Sequence, residues 1–115
     1  MTSKELNEII LKEFPEIKKE FDDYVSWQEG LETGSFLVVE DVFMEYIYSE
    51  IEKSNEELMK RFVSFIERVY LLGDEYATNV ITIGVLENAK CSAFSEIIYD
   101  NLLPETKKMF DELEV

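Results

Sequence analysis

Apolar side chains recur at intervals of three and four along nearly the whole chain, the spacing of amphipathic helices. Leu6, Ile9, Ile10 and Phe14 mark a first helix that Thr2 or Ser3 can cap, with Thr2 and Glu5 at capping-box spacing. Pro15 disfavours helix at Phe14 and suits the first turn of a second helix, whose apolar side is Ile17, Phe21, Tyr24 and Val25. Residues 30–34, bounded by two glycines, read as a loop. Ser35 is then the expected cap of a third helix reaching Lys53, with Phe36, Val39, Phe43, Tyr46, Ile47 and Ile51 on one broad face. Glu40 and Glu50 intrude on that face, so the helix must rotate, end elsewhere or be only partly buried there.

The second half continues in the same way. Ser54-Asn55-Glu56-Glu57 starts a fourth helix, with acids near the positive end of its dipole, and Leu58, Met59, Phe62, Phe65, Ile66, Val69 and Tyr70 fill it. Gly73 closes it in a left-handed conformation, and Asp74 caps a fifth helix through Ala89, with Val80, Ile81, Ile83 and Leu86 as its apolar surface. Ser92 opens a short sixth segment with Phe94, Ile97, Ile98 and Leu102. Pro104 starts a last helix with Met109, Phe110 and Leu113. The two Pro and four Gly are read as boundary residues, and neither a linker nor an internal repeat divides the chain. The expected architecture is all-α: one domain over residues 1–115, a compact bundle of six to seven short antiparallel helices.

Charge changes this picture more than composition does. There are 26 acidic against 11 basic residues, a net −15. Phosphate affinity comes from Lys and Arg, so direct binding of nucleic acid is disfavoured, as is an anionic membrane surface. A basic protein partner is favoured instead. From Glu20 to Glu52 the chain holds ten carboxylates and no Lys or Arg. On an ideal helical wheel Asp41, Glu45, Tyr48 and Glu52 fall within about 60° of one another, away from Phe36, Phe43 and Ile47. Asp22, Asp23, Glu29 and Glu32 lie just upstream. A solvated, solubilising face accounts for such a run in most proteins. Here no cation relieves the repulsion, and Tyr48 in the strip and Trp27 at the edge of the second helix are candidate anchors for a partner rich in Lys and Arg. The expected partner-binding set is therefore Asp22, Asp23, Trp27, Glu29, Glu32, Asp41, Glu45, Tyr48 and Glu52.

Catalytic chemistry is poorly supplied, and no enzyme activity is expected. The chain has no His, which removes the commonest general base and the usual ligand sets of zinc and di-iron helical sites. Cys91 stands alone, with only Lys90 beside it to lower its pKa. Carboxylate pairs suited to Mg²⁺, as in helical nucleotide pyrophosphatases, are incomplete. Glu13/Glu16 straddles Pro15, Glu29/Glu32 flanks Gly30, Glu20/Asp23 precedes it, and no later Glu-x-x-Asp completes the set. No cofactor is expected. The single cysteine fits a reducing compartment, and neither a signal peptide nor an apolar run of about 20 residues is present, so a cytoplasmic location is expected.

The stretch "RFVSFIERVYLLGDEYATNVITIGVLENA", followed by "LLPETKKMFDEL", is similar to small bacterial helical proteins, some of them proposed as immunity proteins. The whole chain, acidic, helical and free of histidine, resembles the immunity proteins of contact-dependent and polymorphic toxin systems. That resemblance implies a protein that binds and neutralises a cognate toxin C-terminal domain, commonly a basic nuclease, through an acidic surface. The alternative is an acidic regulatory adaptor or DNA mimic that binds a DNA-binding protein. Either function is compatible with a monomer or a homodimer.

Overall fold

The Thr2 hydroxyl accepts the Glu5 N–H while the Glu5 carboxylate accepts the Thr2 N–H, so the capping box starts α1 (Ser3–Glu13) as its sequence predicts. A computed structural model describes residues 1–115, and the helical signals account for nearly all of it. Pro15 opens a single 3₁₀ turn, Pro15–Ile17, that leads into α2 (Lys18–Val25). Next, α3 spans residues 35–52, and after a three-residue turn α4 (Glu56–Leu71) returns. Asp74 accepts the Ala77 N–H and starts α5, residues 75–90. The chain closes with α6 (Ser95–Asn101) and α7 (Pro104–Glu112). No strand is present.

Two helices are not uniform. α3 is α-helical at Ser35–Val38 and Met44–Glu52 but forms wider π turns at Val39–Phe43; α5 does the same at Val80–Glu87. Each wide turn takes up about one extra residue, which rotates the remainder of the helix about its axis. That rotation resolves the conflict on α3. Val38, Val39, Val42, Phe43, Met44, Ile47 and Ile51 are all buried, while Glu40 is exposed and Glu50 half-buried at the edge. The two π segments face each other, and Gly84 is where they meet. A Cβ there would stand 3.1 Å from Val39 Cγ1. Gly84 is therefore a mid-helix packing residue, not the boundary residue its type suggests. Gly73 does sit at a boundary, with φ +70° after α4.

Phe14, Phe43, Phe62 and Phe65 form the centre of the core. Phe14 meets Phe43 at 5.0 Å and Phe65 at 5.3 Å, both edge to face, and Phe62 lies 5.9 Å from Phe43. These rings tie α1, α3 and α4 into one contiguous cluster of 29 buried apolar residues. The radius of gyration is 13.2 Å, near the value of about 13 Å expected of a single domain this long. α3 and α5 lie side by side in the same direction, Phe36 against Tyr76 at one end and Tyr48 against Asn88 at the other, as two helices separated by one returning helix must.

Two helix starts differ from expectation. Gly34, not Ser35, occupies the cap of α3, because the Ser35 hydroxyl is drawn inward to Asn7 Oδ1 and Ser3 O. Ser92 belongs to the turn before α6 and accepts the Phe94 N–H there. α7 starts at Pro104 as expected but carries no capping side chain of its own. Buried Glu67 of α4 accepts the N–H groups of Glu105 and Thr106 and the Thr106 hydroxyl, at 3.0, 2.9 and 2.8 Å. At the other end Lys90 Nζ donates to the carbonyls of Phe110 and Leu113, both at 2.8 Å. Opposite charges borrowed from two other helices thus satisfy both ends of the α7 dipole.

Candidate functional site

Glu16, Glu20 and Tyr24 follow one another at four-residue spacing through the 3₁₀ turn and α2, and so form one stripe. That stripe faces Asp41, Glu45 and Ser49 on α3, across a floor of buried Ile17 and Val42. Tyr46, Glu50 and Lys53 complete the far wall. The result is an open groove of about 520 Å³ with five carboxylates and one ammonium.

The groove's charge is only partly answered. Arg61 reaches over from α4 to Glu16, with Nη1 2.9 Å from Oε2, and Lys53 stands 3.8 Å from Glu50. Glu20, Asp41 and Glu45 have no cation within 4.0 Å. Two tyrosine hydroxyls span the walls instead: Tyr24 donates to Asp41 Oδ2 at 2.6 Å and Tyr46 to Glu16 Oε2 at 2.8 Å. The Asp41 bond, helped by desolvation, pushes the Tyr24 hydroxyl up to about 12. Burial and then the Glu16 bond push Tyr46 up as well. Burial opposes ionisation of Glu16, but Arg61, its own N–H and Tyr46 outweigh it and hold the carboxyl below its ordinary value. Both hydroxyls therefore stay protonated donors at neutral pH and lock the 3₁₀ turn and α2 to α3.

The expected set divides. Asp41 and Glu45 share the groove. Glu52 is exposed at the end of α3, outside the groove lining. Tyr48 turns to the opposite side, stacked on Phe94 at 5.1 Å with its hydroxyl on Asn88 Oδ1, and burial raises its pKa. The π turn at Val39–Phe43 shifts Asp41 relative to Tyr48, while Tyr48 keeps its α-helical register with Glu45 and Glu52 and is drawn off the strip by its packing on Phe94 and Asn88. Asp22 is exposed and paired with Lys18 at 2.6 Å. Asp23, Glu29 and Glu32 are exposed in α2 and the following turns, around Trp27, which is 91% exposed.

Glu16, Glu20, Glu50, Tyr24 and Tyr46 escaped the sequence reading. For the first two and Tyr24 the signal was present in their four-residue spacing; Glu50 and Tyr46 depend on the rotation of α3. No group of three or more acidic or Cys side chains converges as metal ligands would. No helix is long and apolar enough to cross a membrane. What the groove offers is a line of carboxylates on a rigid frame, complementary to guanidinium or ammonium groups.

No curated protein and no solved structure gives a significant match to the chain. The family described as Domain of unknown function (DUF7674) matches residues 7–114, from the second turn of α1 to the tail after α7. The chain therefore belongs to the DUF7674 family.

Proposed function

We propose that this protein is a binding protein, without catalytic activity, that captures a basic partner protein in the groove between α2 and α3. The observation that carries this reading is the groove's three carboxylates, Glu20, Asp41 and Glu45, that no cation of the chain neutralises, in a protein of net charge −15. Uncompensated like charge lowers the stability of the compact state, so its retention on a rigid frame suits a surface built to meet positive charge. Steering of this kind lifts association to about 10⁸ M⁻¹s⁻¹ at low salt. In its finer form the partner is the C-terminal domain of a toxin, often a basic nuclease, and the protein confers immunity in the cytoplasm. The exposed free thiol of Cys91 is in keeping with a reducing compartment.

Affinity capture from the native host, followed by mass spectrometry, tests the reading. The expected result is one basic protein, retained at low salt, released as salt rises and lost with Glu20→Lys/Asp41→Lys/Glu45→Lys. A partner that is acidic, or one held equally well by the triple variant, overturns it. If the recovered partner is a toxin domain, co-expression must abolish its toxicity.

A further inference from the structure

Trp27 is the single tryptophan, and it is 91% exposed. All fourteen other aromatic residues, eight Phe and six Tyr, are buried or half-buried. Burial of a large apolar side chain is favourable, and among the aromatic residues Trp27 alone forgoes it, at an exposure well above the 60% of Leu71 and Leu72, the next most exposed large apolar side chains. The backbone beneath it is fixed. Gln28 N–H bonds Val25 O, Glu29 N–H bonds the Thr33 hydroxyl, and the Ser26 hydroxyl bonds Asp23 O. Fully buried Asn7 then holds the far side of the loop, donating to Leu31 O at 2.9 Å and Thr33 O at 2.8 Å. The indole therefore stands on a pinned turn, so ordering costs little when it is covered. Asp23, one helical turn earlier, and Glu29 and Glu32, just after, are exposed carboxylates without a salt-bridge partner.

From this arrangement we infer that the Trp27 turn is a second contact for the basic partner, an anchor that takes an arginine side chain of that protein against its ring. The inference rests on the groove reading and adds to it. A guanidinium stacks on an indole face and is held there by adjacent carboxylates, whereas a compact, strongly hydrated ammonium does so less well. The groove supplies attraction over distance, and the indole supplies the contact from which water is excluded.

The test uses the intact protein and a synthetic peptide of alternating Arg and Gly, with a Lys and Gly peptide of equal length beside it. Because Trp27 is the sole tryptophan, its fluorescence reports on this turn alone, while calorimetry reports on all binding. The expected result is a changed Trp27 emission with the Arg peptide, an affinity for it above that for the Lys peptide, and a 10- to 30-fold rise in Kd in Trp27→Ala, the loss typical of a truncated hot-spot tryptophan. Trp27→Phe should lose less. Thermal unfolding of both variants should match the parent, because the ring is exposed. Binding with unchanged emission and equal Kd in Trp27→Ala overturns the inference and leaves the groove reading standing. Absence of binding to either peptide at low salt overturns both.

Discussion

Removing the borrowed cap on α7 tests how the chain is held together at its end. Glu67→Ala deletes three hydrogen bonds to one buried carboxylate and leaves the Glu105 and Thr106 N–H groups without their acceptor. A lost N-cap costs about 1 kcal/mol, and hydrogen bonds to a charged group contribute about 1.5–3 kcal/mol each, less than additively when one residue makes all three. The expected destabilisation is about 3 kcal/mol for Glu67→Ala, and about 1.5 kcal/mol for Glu67→Gln, which keeps one oxygen acceptor. At this chain length about 4 °C is lost per kcal/mol, so Tm should fall by about 12 and 6 °C. Circular dichroism melts measure both. The pH dependence has a fixed sign. Burial opposes the charge on Glu67, but the Thr106 and Glu105 N–H groups and the Thr106 hydroxyl outweigh it and hold the folded carboxyl below its ordinary 4.5. Its contribution is thus complete above 4.5 and disappears as pH falls through the lower folded value. The gap between parent and Glu67→Gln should be full near neutral pH and close in acid. Equal Tm values near neutral pH, or a gap that persists undiminished in strong acid, would mean that Glu67 does not cap α7 as a carboxylate.

Asn7→Ala should destabilise by about 2–4 kcal/mol, since it leaves the Leu31 and Thr33 carbonyls and the Ser35 hydroxyl without their shared buried partner, and amide exchange should rise first in residues 30–35. Gly84→Ala should cost about 1–3 kcal/mol by driving a methyl against Val39 Cγ1, and Val39→Ala should recover part of that cost in the double variant, as a denaturant-unfolding cycle would measure. Additive losses would mean that the two π segments are not in the contact described.

The seven helices were legible because their signals are local: Thr2 and Glu5, Pro15, Asn55, Asp74 and Pro104 each act within a turn of where they stand. The features that were not legible depend on distant residues. Nothing in the sequence around Pro104 says that its helix is capped by Glu67, 39 residues before Thr106. The π turns of α3 and α5 were invisible for a related reason, since an i+4 run of apolar residues fits either turn until the partner surface is known. Tyr48, placed in the acidic strip by a uniform wheel, is found stacked on Phe94, a partner 46 residues away that its own helix does not announce. The π turn of α3 hid Tyr46 and Glu50. The acidic character of residues 20–52 was plain, but which carboxylates meet depends on how α2 lies across α3, and Glu16 and Glu20 join Asp41 and Glu45 only there.

One groove, and not the overall negative charge, is expected to receive the basic partner. Backbone chemical-shift mapping of the isotope-labelled protein, titrated with the Arg and Gly peptide at moderate salt, tests it most directly. The expected shifts concentrate at Glu20, Tyr24, Asp41, Glu45 and Ser49, with a second set at the Trp27 turn, and the groove set is abolished by Asp41→Lys/Glu45→Lys but not by Glu96→Lys/Asp100→Lys on α6. Small shifts spread evenly over acidic residues all around the molecule, equally weakened by either pair of reversals, would contradict it.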